Sequence, residues 1–364
     1  MGKKHKHLYN QITTFENLWI ASKNARRGKR NKYPTINFEY NLEENLFDIQ
    51  EKLQNELYEF GEYNRFMIHE PKKREIASAP YQDRVVHHAL CNIIEPILDK
   101  SMIYDSYACR VGKGSHRAID KAHKLLKQYK YTLKFDIKKY FFTIDHQILL
   151  KSLQKKITDE RVLSLIQKIL NTYASEQKYH FHFEGDDLFD SVRSRGLPIG
   201  NLTSQLFANF YLDKLDRFIK EDLKVKGYVR YMDDGVLYSN SKSELQNIKN
   251  KIREFAKTMR LTMHEDKTQI SPSKNGIQFL GFHLYPSHRR ILRENLQRFK
   301  KKFGKRCKLY SNDEIAFENL LMSLNAWLGY VGKNHHIGLV NEILSSIKFN
   351  HPNENQRFTF CHRL

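Results

Sequence analysis

Tyr231-Met-Asp-Asp234 sets two adjacent carboxylates between two short apolar runs. Gly227-Tyr-Val-Arg230 leads in and Val236-Leu-Tyr238 leads out, so the segment reads as a β-hairpin with Asp233 and Asp234 at its turn. Two carboxylates at one tight turn project into a small volume, which is costly unless a cation shares it. For hard oxygen ligands the usual cation is magnesium. An Asp-Asp-Gly sequence is also an ordinary turn, so the pair needs a third group before it argues for chemistry.

Asp136 supplies that group. In Tyr131-Thr-Leu-Lys-Phe-Asp136, Leu133, Phe135 and Ile137 alternate with Thr132, Lys134 and Asp136, the period of a strand with one buried face. Asp136 then sits near the strand's end, opposite its apolar neighbours. A strand-borne carboxylate beside a hairpin-borne pair suits a two-metal phosphoryl-transfer site, where one ion activates a hydroxyl and both steady an in-line displacement. The plainer alternative is a salt bridge from Asp136 to Lys134 or Lys138.

The elements that must position these groups follow from periodicity. A helix is expected over Asp83–Leu98, with Val85, Val86, Ala89, Leu90, Ile93, Ile94, Ile97 and Leu98 on one stripe. Before it, Phe66–Pro80 reads as a hairpin whose tip carries Lys72, Lys73 and Arg74, placed to clamp a triphosphate or simply solvated. The loop Arg195–Gln205 is punctuated by Gly and Pro and runs into a helix. Ser241 and Glu244 form a capping box for a helix carrying Leu245, Ile248, Ile252, Phe255 and Met259. Gln278–Tyr285 reads as a further hairpin, and basic helices follow it.

The chain has 62 Lys plus Arg against 41 Asp plus Glu, a formal net charge of +21. That excess favours a polyanionic partner held in a salt-dependent way. Arg26-Arg-Gly-Lys-Arg30 and Lys300-Lys-Lys302 lie far apart in sequence, which suggests a long groove. Aromatic residues are 12% of the chain, enough to offer stacking platforms for bases. Cys91, Cys109, Cys307 and Cys361 show no metal-binding spacing. No apolar stretch suits a signal peptide or a membrane span, so a cytoplasmic protein with no membrane partner is expected.

Taken in order, these residues resemble the motifs of reverse transcriptases. Residues 131–142 resemble the first carboxylate motif, 231–235 the Tyr-Met-Asp-Asp motif and 279–285 the primer-grip hairpin. The resemblance implies an α+β right-hand polymerase with an antiparallel palm sheet and a helical thumb. An N-terminal extension and fingers would occupy 1–130, the palm 131–285 and the thumb 286–350, with 351–364 a tail. It assigns catalysis to Asp136, Asp233, Asp234 and Lys267, the last protonating pyrophosphate. Two Mg2+ ions would be held by Asp136, Ile137, Asp233 and Asp234. Substrate binding falls to Arg74, Lys72, Phe141, Ile199, Gly200 and Gln205, with Phe141 the steric gate against a ribose 2′-hydroxyl. Nucleic-acid binding falls to Arg110, Lys113, Lys300 and Lys301.

The string Leu197-Pro-Ile-Gly-Asn-Leu-Thr-Ser-Gln205 departs from the usual Gln-Gly and Ser-Pro at Ile199 and Gln205. It resembles diversity-generating retroelement reverse transcriptases, as do Asp83–Leu90, Asp105–Arg110 and Gln11–Trp19. Such enzymes copy a template-repeat RNA into cDNA from deoxynucleoside triphosphates, err at template adenines, and work with a small basic oligomeric accessory protein. The rival readings are a group II intron maturase or defence-associated reverse transcriptase, and a non-catalytic RNA-binding scaffold. With little chain left after the thumb region, a full intron protein is disfavoured, and three gathered carboxylates disfavour the scaffold.

Overall fold

The computed structural model describes residues 4–69, 73–173, 183, 185–191, 193–332 and 337–346. The expectations for Lys72 and for the tail 351–364 lie outside the described residues. The chain divides into two compact units, Met1–Ala118 with Leu133–Ile270, and Ile119–Thr132 with Ser271–Leu364.

In the first unit, strands β1 (Asn64–Ile68) and β2 (Arg74–Ser78) form an antiparallel hairpin with Ile68 opposite Arg74. A four-stranded sheet has the order β4 (Gly227–Tyr231), β5 (Asp234–Ser239), β3 (Tyr131–Asp136), β6 (Gln269–Pro272), of which β4, β5, Leu133–Asp136 and Gln269–Ile270 belong to this unit. Leu133, Phe135 and Ile137 are buried, as their alternation requires. Gly235 is where β5 crosses Phe135: a Cβ there would lie 2.3 Å from two ring carbons, so only glycine lets the strands approach.

Helix Tyr81–Ser101 extends the expected segment by a few residues at each end and buries Val85, Val86, Ala89, Leu90, Ile94 and Leu98. Asn17 ties the helix Phe15–Ala25 to it, its amide donating to the Ala89 carbonyl at 3.0 Å. Asp83 is buried and accepts from Tyr58 Oη at 2.7 Å and the Gly61 amide at 2.9 Å. Helix Lys242–Thr258 starts at the expected cap, where Ser241 Oγ accepts from the Glu244 amide at 3.2 Å. The reciprocal half runs through Ser239, whose hydroxyl meets both the Glu244 carboxylate and the Ser241 amide. Phe255 is half-buried and stacks on Phe218 with centroids 4.0 Å apart.

In the second unit the expected hairpin is a three-stranded antiparallel sheet of β7 (Ile277–Phe279), β8 (Phe282–Leu284) and β9 (Arg289–Ile291). The third strand escaped the sequence reading because Arg289-Arg290-Ile291 carries too few apolar residues to show a period. Helices Arg293–Ser311, Phe317–Val331 and Ile337–Ser346 follow, and their core gathers Phe303, Leu320, Leu324, Trp327 and Val340. Phe299 stacks on Trp327 at 4.1 Å. Among the described residues, no helix is long and apolar enough to cross a membrane.

Candidate active site

The carboxylate pair sits at a two-residue turn. Tyr231 pairs with Asp234 across β4 and β5, leaving Met232 and Asp233 between them. Met232 has φ +55°, at the first central position of the hairpin turn, where glycine is the usual residue. A methionine there is strained, and the strain is compensated behind the turn. Arg230 is wholly buried, and its Nη1 donates to the Met232 carbonyl at 2.9 Å. Nη1 also donates to Asn209 Oδ1 at 2.9 Å, and the rest of the guanidinium clamps Asp216, with Nε–Oδ1 at 2.7 Å and Nη2–Oδ2 at 2.5 Å. Tyr228 Oη adds a 2.7 Å bond to Asp216. Nothing in the local sequence announces this network: Arg230 is one basic residue in an apolar strand, and its partner lies fourteen positions upstream.

Asp136 ends β3, and the chain turns at once. Its carbonyl accepts from the His264 amide at 2.8 Å, and Ile137 bridges to Met263. Lys139, with φ +50°, then reverses the backbone into the short helix Tyr140–Thr143 that carries Phe141. Residues 196–199 are strapped to that helix and to β2. The Leu197 amide donates to the Phe141 carbonyl at 2.7 Å, and the Ala77 amide donates to the Ile199 carbonyl at 3.1 Å. Gly200, at φ +129°, lies so close to β2 that a Cβ would meet Ile76 Cγ2 at 3.1 Å. Backbone hydrogen bonds therefore fix Arg74, Phe141 and Ile199 relative to one another.

These elements enclose a cavity of about 780 Å³. Arg74, Asp136, Ile137, Phe141, Ile199, Asp233 and Lys267 all line it, with Lys73 beside them. Asp234 does not line it. Gly200 does not line it either. Gln205 is exposed, and its amide oxygen faces the Cys109 thiol at 3.5 Å, outside the cavity.

The electrostatics are those of crowded carboxylates. Lys267 Nζ bonds Asp136 at 2.8 Å, and Lys134 pairs with Asp234 at 3.2 Å. The alternative pairing of Lys134 with Asp136 is not what forms; the partner of Asp136 comes from far along the chain. Burial raises the Asp233 carboxyl above its ordinary range, and Asp136 adds to that, while Lys267 and Arg74 oppose it. Asp234 is pushed up to about 6, first by burial, against Lys134, with Asp233 and Asp136 adding repulsion. Its side chain is 24% exposed, yet Oδ1 is enclosed and accepts no hydrogen bond among the described residues.

An enclosed, unsatisfied carboxylate oxygen among mutually repelling acids fits a divalent cation's requirements. Asp136, Asp233 and Asp234 are the residues that would hold it. Among the described residues no three acidic, histidine or cysteine side chains form a finished metal cage, and Lys267 and Lys134 pair with Asp136 and Asp234.

Asp234 gives a pH-dependent expectation. A carboxyl whose folded value lies above its unfolded value stabilises the fold while protonated, and that contribution is lost as pH rises through about 6. A rise from 3.8 to about 6 corresponds to at most about 3 kcal/mol. In a chelator, the protein should lose up to that much stability between pH 4 and 7 relative to Asp234→Asn, read as urea midpoints. Equal pH profiles for the two proteins would refute the assignment.

Arg110 is held by local bonds. Its side chain is only 7% exposed and donates to Asp99 Oδ1 at 2.5 Å and to the Asp99, Ile103 and Ser106 carbonyls. Those bonds fold its own loop. Lys113 is also engaged locally, donating to the Tyr104 carbonyl at 2.8 Å with Nζ 3.1 Å above that ring. Lys300 and Lys301 lie on helix Arg293–Ser311 of the second unit, and Lys300 approaches Glu342 at 3.9 Å.

Comparison with known proteins adds the following. The family model described as reverse transcriptase (RNA-dependent DNA polymerase) matches residues 68–284. The chain is 24% identical over 294 residues to the putative COX1/OXI3 intron 1 protein of Saccharomyces cerevisiae, covering 64% of this chain and 34% of that protein. It is 23% identical over 275 residues to the group II intron-encoded protein LtrA of Lactococcus lactis subsp. cremoris, covering 58% of this chain and 44% of that protein. The match thus spans less than half the length of each of these two relatives. Among solved structures, apo telomerase from Candida Tropicalis aligns with a TM-score of 0.47 at 14% identity, over 64% of this chain and 49% of that one.

Proposed function

The chain belongs to the reverse transcriptase family, and from that premise we propose that it is an RNA-directed DNA polymerase of the diversity-generating retroelement type. The observation that carries the polymerase reading is the cavity in which Asp136 and Asp233 face Arg74, Lys267, Phe141 and Ile199. Divalent ions, Mg2+ by the chemistry of oxygen ligands, would supply charge neutralisation at the reacting phosphate and activate the attacking hydroxyl. Arg74 and Lys73 supply cations at the hairpin for the triphosphate of a deoxynucleotide. The Phe141 ring, held by its backbone tie to Leu197, closes the cavity where a 2′-hydroxyl would sit. Lys267, whose ammonium touches Asp136, would hand a proton to departing pyrophosphate. We assign 1–130 to the extension and fingers, 131–285 to the palm and 286–350 to the thumb.

The finer reading rests on Ile199. Its apolar side chain lines the cavity where the usual family residue is glutamine, so no amide there can hydrogen-bond the incoming nucleotide or brace a template base. A missing polar contact forfeits discrimination of about 1–3 kcal/mol. The enzyme then copies a template-repeat RNA with errors at adenines, in partnership with a small basic oligomeric accessory protein. Ile199→Gln is expected to lower misincorporation opposite template adenine about tenfold, with extension retained, by sequencing of cDNA products. An unchanged adenine error rate in a polymerising variant would overturn the reading and leave a group II intron-like reverse transcriptase of ordinary fidelity.

A further inference from the structure

A second cavity of about 500 Å³ lies in the first unit and shares no residue with the catalytic one. Its wall is cationic: Lys4, Lys151, Lys155, Lys156, Lys214 and Arg217 converge on it from three parts of the chain. Lys151 belongs to helix His146–Gln154, with Lys155 and Lys156 just beyond it, and Lys214 to helix Asp213–Arg217. The N-terminal segment is fastened alongside. The His5 amide donates to the Lys156 carbonyl at 2.9 Å and the Thr158 amide to the His5 carbonyl at 3.0 Å. The amides of Leu8 and Tyr9 both reach Asp159 Oδ2, at 2.7 and 2.9 Å. Lys4 is thereby carried to the same cavity as lysines about 150 positions away.

The charges there are not balanced locally. The acid in the wall, Asp213, is buried and already taken by Arg217 at 2.9 Å. Among the described residues, Lys4, Lys151, Lys155 and Lys156 have no carboxylate within ion-pair distance, and Lys214 lies 5.6 Å over the Phe255 ring. Like charges gathered by folded backbone repel one another unless a polyanion is present. Lysines are point-charge phosphate binders without the fork that reads a base. The wall's one aromatic ring, Phe210, is buried, so no stacking platform accompanies the cations.

From this geometry we infer that the cavity is a second nucleic-acid site, gripping the phosphodiester backbone of an RNA segment outside the copied primer–template. The inference rests on the reading that the chain handles RNA, and it adds a sequence-independent anchor for the RNA body. The test uses the full chain with Lys151, Lys155 and Lys214, all exposed, changed together to glutamine. Anisotropy measures binding of a long RNA and of a short primer–template across a salt series. Each lost phosphate contact removes roughly 0.7–0.9 from the salt slope. The expected result is a slope lower by about 2, long-RNA binding weakened about tenfold or more near 0.1 M salt, and short primer–template binding unchanged. The Lys→Arg triple variant retains wild-type binding.

An unchanged salt slope overturns the inference. So does equal loss on the short primer–template, which would give the groove to the copied duplex, and so does displacement of RNA by low inorganic tripolyphosphate. If the glutamine variant does not fold, amine acylation of the wild-type protein decides: bound RNA must shield Lys151, Lys155 and Lys214, and full reactivity refutes the site. A wild-type chain that binds RNA but extends no primer would count against the polymerase reading and leave this result standing.

Discussion

Asp233→Asn is expected to lower RNA-templated primer extension by a factor of about 1,000 or more, with thermal stability unchanged or raised. Asp233 lines the proposed catalytic cavity at the turn, and its carboxyl is raised by burial and by Asp136. The amide keeps the side chain's shape but cannot carry the negative charge that binds divalent ions. A thousandfold loss corresponds to about 4 kcal/mol of transition-state stabilisation, the scale of one preorganised charge in a dry site. Relief of carboxylate repulsion is why stability should not fall. A variant extending primers within tenfold of wild type would remove Asp233 from the chemistry.

Arg230→Met is expected to destabilise the first unit by about 3–5 kcal/mol, because it leaves the buried Asp216 charge without its partner. Both side chains of this pair are 0% exposed, so water cannot replace the lost bonds. The same change releases the Met232 carbonyl, and the strained turn loses the bond that holds it. Arg230→Met combined with Asp216→Leu should recover a substantial part of the lost stability, since no unpaired charge then stays buried. Urea unfolding of the two variants checks this. A single variant costing under about 1 kcal/mol, or a double variant less stable than the single, would contradict the account.

The elements that carry the carboxylates were legible in the sequence because their signals are local. Strand alternation around Asp136 and an acidic turn between apolar runs each need only neighbouring residues. What stayed hidden depends on contacts between distant segments. Lys134 was legible as a cation near Asp136, but the sheet order β4-β5-β3-β6 sends it to Asp234, while Asp136 is met by Lys267. The Arg195–Gln205 loop was recognisable from Gly and Pro. Its role as a strap joining Phe141, Ile199 and β2 requires knowing where the Leu197 and Ala77 amides donate. The bonds of Arg110 to Asp99 and three carbonyls were equally hidden, since they depend on how its own loop closes. The cationic cavity could not have been read from charge runs, since its lysines come from three separate stretches.

The central claim is that the Asp136 and Asp233 cavity polymerises DNA on RNA. RNA-templated primer extension by the full chain, with magnesium and deoxynucleotides and with Asp233→Asn beside it, tests that most directly. The account predicts DNA products whose length and sequence follow the template for the wild type, and none for the variant or in a chelator. No template-directed product from folded wild-type protein, or equal product from both proteins, would contradict it.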